Sequence, residues 1–259
     1  MPDRILFILS TARTGTKALA EGLAGGDVLS PHQPPNSRIL TILGNFHLHG
    51  WLPRRALEAA AMRWRAPQIT NAPCRYYIQV FSLDYWPAYI LSQRLPHVHV
   101  LHIIRDPRTW VPSYVNWMHT RWQSAIANRL IVGWHPSGLW TGEIPPGEWL
   151  RMDTFQRICW HWTYKNELLA SLFYDYPGYQ QVHFEALFGS NGAGVLELVL
   201  ANAGIPYQPH YANIMRQPKN QSRRDAFPTW PDWPPKRQQQ LLTLCGDLMQ
   251  RYGYLPAVR

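Results

Sequence analysis

The chain has little cysteine, little lysine, few charges for its length and no long apolar run. Its three cysteines, Cys74, Cys159 and Cys245, are odd in number, far apart and outside any C-x-x-C pattern. That excludes a disulfide scaffold, argues against a cysteine metal site and suggests a reduced setting, expected here to be the cytoplasm. No apolar stretch reaches the roughly 18 residues of a membrane span. Residues 5–9 are apolar but too few for a signal-peptide core, so no stable membrane insertion is expected. Charged residues are 16% of 259, against about 25% in a typical globular chain. Only four of the 25 basic residues are lysines (Lys17, Lys165, Lys219, Lys236), leaving 21 arginines. Arginine suits planar, bidentate recognition of anions. The formal charge is +9, yet no stretch forms the dense basic run of a nucleic-acid tail, and nucleic acid is not an expected partner.

What the chain does have is aromatic mass and alternating apolar segments. Aromatics reach 13%, with 13 tryptophans, which argues against disorder. The length suits a single domain spanning 1–259. Continuous apolar runs at 4–9, 76–81 and 97–104 read as buried strands, and short strands are expected at 27–29 and 181–184. Helical patterns fall at 17–23, 54–65, 87–94, 107–122, 154–174, 195–203 and 236–252. Strands alternating with helices predict an α/β fold of three layers around a mostly parallel sheet. In such sheets ligands lie beyond the carboxyl ends of the strands.

The first strand runs into Ser10-Thr11-Ala12-Arg13-Thr14-Gly15-Thr16-Lys17-Ala18. A loop between a buried strand and a helix offers unpaired N–H groups and the positive helix end to an anion. Gly15 permits close approach, Thr14 and Thr16 add hydroxyls, and Arg13 and Lys17 add charge. A Walker A loop needs G-x-x-x-x-G-K-[ST]. Here the first glycine is missing and Thr16 separates Gly15 from Lys17. The strand at 97–104 ends in Arg105-Asp106-Pro107, with Ser113 eight residues after Arg105. Pro107 can open a helix, which places Ser113 about 9 Å along its axis. Arg105 and Ser113 could grip a second phosphate.

Together the two motifs resemble the sulfotransferases that use 3′-phosphoadenosine 5′-phosphosulfate (PAPS) and release 3′-phosphoadenosine 5′-phosphate (PAP). The resemblance implies a P-loop-like sulfotransferase fold. It implies that Arg13, Thr14, Gly15, Thr16, Lys17 and Ala18 hold the 5′-phosphosulfate, and that Arg105 and Ser113 hold the 3′-phosphate. His183-Phe184-Glu185-Ala186-Leu187 is similar to the family's mainly structural (Y/F)-E-x-L strand end. Ser222, Arg223 and Arg224, followed by Trp230 and Tyr252-Gly253-Tyr254, resemble the segment that folds over the nucleotide. The Lys-Thr-His strand end of the cytosolic branch is absent, replaced by Phe81-Ser82-Leu83-Asp84. Arg13 stands where that branch usually has lysine. The chain looks closer to bacterial and carbohydrate-type members.

The resemblance implies in-line sulfuryl transfer to a hydroxyl of a small molecule, of natural-product or saccharide type, with no metal. Charge on the sulfuryl oxygens falls to the loop, Arg13 and Lys17. The general base is expected at His32, with Asp84 next. His47 and His49 lack a third metal ligand at a convincing spacing and read as packing or surface residues. Eight tryptophans lie between Trp110 and Trp162, and 117–152 is expected to be an acceptor-binding insertion or lid. Two other readings remain: a P-loop kinase, with the strand before Asp84 resembling a Walker B segment, and a non-enzymatic, aromatic-rich binding protein.

Overall fold

A computed structural model describes residues 1–119, 135–216 and 227–256. Five strands form one sheet: β1 (Arg4–Ser10), β2 (Val28–Leu29), β3 (Tyr76–Val80), β4 (Val98–Ile104) and β5 (Tyr179–His183). Their order is β2-β3-β1-β4-β5, and every pairing is parallel. Parallel neighbours require crossover connections, and those crossovers supply the covering helices. They include α1 (Thr16–Leu23), α2 (Ser37–Leu48), α3 (Arg54–Trp64), α4 (Ala66–Thr70), α5 (Tyr85–Ser92) and α6 (Pro107–His119).

The unbroken apolar run of β1 has a direct cause. Side chains alternate across a strand, and both faces of this sheet are covered. Leu6, Ile8, Ile78, Val80, Leu101 and Ile103 pack against Leu19 and Leu23 of α1 and against Leu196 and Leu200 of the helix Gly192–Asn202. Ile5, Phe7, Leu9, Val98 and Val100 face Ala88 and Leu91 of α5 and Leu169 of the helix Thr154–Leu172. That long helix starts on a capping box. Asp153 accepts from the Gln156 N–H at 2.9 Å, and the Gln156 side chain accepts from the Asp153 N–H at 3.0 Å. A third cluster ties α6 (Trp110, Val111, Tyr114) to Ile158 and Trp162, and to Leu241 and Cys245 of the helix Pro235–Arg251.

Two elements differ from the sequence pattern. The last strand is Tyr179–His183 rather than 181–184, and Phe184 opens a short helix, Phe184–Leu187. It is an edge strand with no buried residue, so no apolar run marks it. Helix α2 is not expected from the sequence, and besides Leu40 the residues it buries are small or polar. It buries Ser37, Thr41, Gly44 and Asn45 while leaving Ile39 about half exposed.

The order of the strands decides where a ligand can sit. The chain leaves β1 for β2 on one side of the sheet and leaves β4 for β5 on the other. A crevice opens where connections diverge, so it lies between the carboxyl ends of β1 and β4. Among the described residues, no helix is long and apolar enough to cross a membrane.

Candidate functional site

The loop after β1 is shaped by side chains that capture its carbonyls. Tyr85 Oη donates to Ser10 O at 3.1 Å, Trp110 Nε1 donates to Ala12 O at 2.8 Å, and Arg105 Nη1 donates to Arg13 O at 2.6 Å. Inside the loop, Ser10 Oγ accepts from the Ala12 N–H at 3.2 Å and from Thr14 Oγ1 at 2.6 Å. Ala12 and Arg13 both have positive φ, 71° and 57°, a conformation that costs non-glycine residues roughly 1–2 kcal/mol each. Such strain persists where surrounding contacts over-determine it, characteristically at ligand clamps. The first i→i−4 bond of α1 runs from the Leu19 N–H to Gly15 O at 3.0 Å. The N–H groups of Thr16, Lys17 and Ala18 are therefore those a helix start leaves without an intrahelical acceptor. With the carbonyls taken and these donors left, the loop suits an anion.

Gly15 is required here twice over. Its φ is +73°, and a Cβ added to it would lie 2.4 Å from Phe188 Cζ. Phe188 packs on Phe184 at 4.8 Å between ring centroids, and Phe184 lies 4.5 Å beneath the Arg105 guanidinium. One aromatic platform thus supports both the loop and the end of β4.

The fold brings three of the expected anion-binding residues together. Besides its bond to Arg13 O, Arg105 donates from Nε to Thr109 Oγ1 at 3.1 Å. Arg13 donates from Nε to Ser113 Oγ at 3.2 Å. The motifs alone place Arg13 at one phosphate and the Arg105–Ser113 pair at another, whereas in the fold Arg13 is bonded directly to both Arg105 and Ser113. Burial lowers the Arg105 pKa, yet an arginine stays charged in a protein. Thr14 and Thr16 are buried in the loop. Ala18 packs into the core beneath α1, so only its backbone N–H can meet a ligand.

The remaining candidates fall into separate places. His32 pairs with Val80 in an isolated parallel bridge, just past β2, and its Nε2 stands 3.5 Å from Thr16 Oγ1. Partial desolvation, then the Lys17 charge, lower its pKa, so its imidazole is neutral at pH 7. The Lys17 ammonium is exposed and lies 3.6 Å from Glu21, along α1. Asp84 has no solvent exposure. It pairs at 3.2 Å with Arg65, equally buried, and accepts from Gln79 Nε2 at 2.7 Å. Burial raises its carboxyl to about 7, with Arg65 pulling the other way. Arg65 also donates to Ser37 Oγ at 2.7 Å, so the pair ties the start of α2 to the end of β3. Ser222, Arg223 and Arg224 lie outside the described residues. His47 Nδ1 meets Leu52 O at 2.9 Å, and His49 Nε2 accepts from the Ser137 N–H at 3.1 Å.

Several contributors carried no mark of their own. Trp110 and Trp162, which grip Ala12 O and Arg105 O, sat among eight tryptophans with nothing to single them out. Their only signal was position, five residues after Arg105 and inside a helix that must face α6. Within 117–152, residues 120–134 are not described. Trp149 and Met152 pack on Trp160, and Lys165 is buried beside His135. Its Nζ lies 3.0 Å from His135 Nδ1, and His135 Nε2 lies 2.9 Å from the hydroxyl of Tyr114. Tyr114 stacks on Trp110 at 4.7 Å. Burial, with no acidic partner among the described residues, brings the Lys165 ammonium down to about 7.

No protein-family model and no curated protein matches the chain. Solved structures do. A sulfotransferase from Alicyclobacillus acidocaldarius aligns over 100% of this chain and 97% of that one, with a TM-score of 0.53 and 13% identity. Mouse sulfotransferase SULT7A1 complexed with PAP aligns over 98% of this chain and 86% of that one, with a TM-score of 0.51 and 13% identity. The chain therefore has the fold of these sulfotransferases: a five-stranded parallel sheet, helices on both faces and a P-loop-like strand-loop-helix.

Two predictions follow from this geometry. Gly15→Ala loses the loop, through the left-handed backbone and the Phe188 contact, and lowers the thermal midpoint in calorimetry, as expected of a substitution costing about 2 kcal/mol or more. Lys165 has a folded pKa below its unfolded one, so between about pH 7 and 10 the unfolded chain holds the extra proton and stability rises with pH. Urea titrations of wild type and Lys165→Met should show the wild type gaining on the order of 3 kcal/mol relative to the variant across that window.

Proposed function

We propose that this chain is a sulfotransferase that moves the sulfuryl group of PAPS to a hydroxyl of a small-molecule acceptor, releasing PAP. The observation that carries the reading is the meeting of Arg13 with Arg105 and with Ser113 at the β1–β4 crevice: Arg13 Nε lies 3.2 Å from Ser113 Oγ, and Arg105 Nη1 lies 2.6 Å from Arg13 O. A donor with a 5′-phosphosulfate and a 3′-phosphate needs two cationic grips at one strand-loop-helix. The residues present fit it: N–H donors at the start of α1, a glycine no side chain could replace, and two arginines with a serine between α1 and α6.

PAPS supplies an activated sulfuryl group when bound. The chain supplies orientation and charge. The N–H groups of Thr16, Lys17 and Ala18, with the hydroxyl of Thr16, donate to the oxygens at the reacting end, while the Thr14 hydroxyl, bonded to Ser10 Oγ, holds the loop's shape. Arg13 offsets negative charge that grows there, as a fixed cation that does not give up a proton. Arg105 and Ser113 hold the 3′-phosphate by charge-assisted hydrogen bonds. His32 takes the acceptor's proton at Nε2, close to the loop hydroxyl of Thr16. The neighbouring Lys17 ammonium helps keep that imidazole neutral, so the charge on Lys17 acts through His32. Asp84, locked against Arg65, serves architecture. The rival phosphoryl-transfer reading needs a carboxylate after β3 open to Mg²⁺, and Asp84 is wholly buried in an ion pair. The acceptor is a small hydroxylated metabolite, held on the aromatic-rich side beyond α6.

Two variants test the assignments. Arg105→Ala should weaken PAP binding about 30-fold or more in calorimetric titration while retaining a cooperative thermal transition. His32→Asn should keep PAP affinity within about twofold and cut turnover of a hydroxylated acceptor by about 10²–10³. Wild-type turnover should fall with acidification below the ordinary histidine range, and that limb should vanish in His32→Asn.

A further inference from the structure

Arg105 is held from behind as tightly as in front. Its own carbonyl accepts from Trp162 Nε1 at 2.8 Å. The carbonyl before it, Ile104 O, accepts from the hydroxyl of Tyr254 at 3.2 Å. The N–H after it, on Asp106, donates to Glu185 Oε1 at 3.1 Å. Tyr254 and Glu185 are themselves joined, hydroxyl to Oε2, at 3.0 Å. Residues 69 positions apart therefore form one unit that grips the two peptide groups flanking the arginine.

Tyr254 is delivered to this place by the chain's closing turn. Past the helix Pro235–Arg251 and its cap Tyr252, Gly253 takes the left-handed conformation at φ 71°. The Tyr254 N–H then bonds back to Met249 O at 2.8 Å. The Tyr254 ring stacks on His183, the last residue of β5, at 4.9 Å. Its carbonyl accepts from Arg108 Nη2 at 3.1 Å, and the same guanidinium pairs with Asp106 at 2.6 Å. Burial, then the Glu185 charge, push the Tyr254 phenol well above its ordinary pKa, so its single proton stays available to be shared between Ile104 O and Glu185. Asp106 already caps α6, accepting from the Arg108 N–H at 2.8 Å. The strand end and helix start on either side of Arg105 are thus fixed by hydrogen bonds to the main-chain atoms that flank it.

We propose that Tyr254 and Glu185 are positioning residues for Arg105, setting the direction from which its guanidinium meets the nucleotide 3′-phosphate. This rests on the sulfotransferase reading above. A guanidinium recognises a phosphate through fixed, planar geometry, so a small rotation of the peptide at residue 105 is felt as lost affinity for the group it contacts and for no other part of the nucleotide.

The test is a double-mutant cycle in the full chain, read by calorimetric titration with two probes, PAP and adenosine 5′-monophosphate, which lacks the 3′-phosphate. Tyr254→Phe keeps the ring on His183 and removes only the hydroxyl. It should raise the dissociation constant for PAP about tenfold, or 1.4 kcal/mol, and leave that for the monophosphate within twofold. In an Arg105→Ala background the same substitution should have no further effect on PAP. Glu185→Gln should behave likewise, and carries the test if Tyr254→Phe does not fold. Equal weakening of both nucleotides, an effect that persists without Arg105, or unchanged PAP affinity would each overturn the proposal. If the wild type does not prefer PAP over the monophosphate, the donor assignment fails first, and this inference with it.

Discussion

The site depends on side chains taking the carbonyls of the loop after β1. A loop of this kind has as many backbone acceptors as donors, and it binds an anion only if the acceptors are turned away and satisfied. Tyr85, Trp110 and Arg105 do this for Ser10, Ala12 and Arg13. Each comes from just beyond the carboxyl end of β3 or β4, the two strands that flank β1. The sheet order is therefore what makes the loop possible. It puts β1 between the two strands whose following segments must reach over it, and it opens the crevice on the β4 side.

The arginine excess finds an explanation in the same contacts. A net charge of +9 suggests a basic surface, yet many arginines are spent internally. Arg65 is fully buried against Asp84 and Ser37. Arg105 lies on Phe184, Arg157 over Trp149 and Arg237 over Phe155. Arg108 clamps Asp106 and the Tyr254 carbonyl. These are uses of a flat, forked cation that stacks and makes several directed bonds at once, which lysine cannot reproduce. Among the described residues, the one lysine in an equivalent place, Lys165, meets only a histidine and is driven toward its neutral form.

Much of the fold was legible because the sheet is covered on both faces. Burial on both sides turns β1, β3 and β4 into unbroken apolar runs, and these stand out. The edge strand β5 was not legible in the same way, since none of its residues is buried. The candidates Arg13, Gly15, Arg105 and Ser113 stood out because anion binding calls for those residue types at fixed offsets from a strand end, and the fold brings Arg13 to both Arg105 and Ser113. The outward course of the Lys17 side chain and the burial of Asp84 depend on which neighbour each meets, Glu21 in one case and Arg65 in the other. Tyr254, Glu185 and Trp162 act through single hydrogen bonds to main-chain atoms around Arg105. Such contacts join residues 57 to 150 positions apart and leave no local pattern.

The central claim is that the loop and the end of β4 together bind a nucleotide with phosphates at both the 5′ and 3′ positions. Calorimetric titration of the purified chain with PAP in EDTA, with ATP as the control, tests it most directly. The account predicts saturable binding of PAP that needs no divalent cation and is at least tenfold tighter than binding of ATP. No PAP binding, or binding of ATP that appears only when Mg²⁺ is restored, would contradict it.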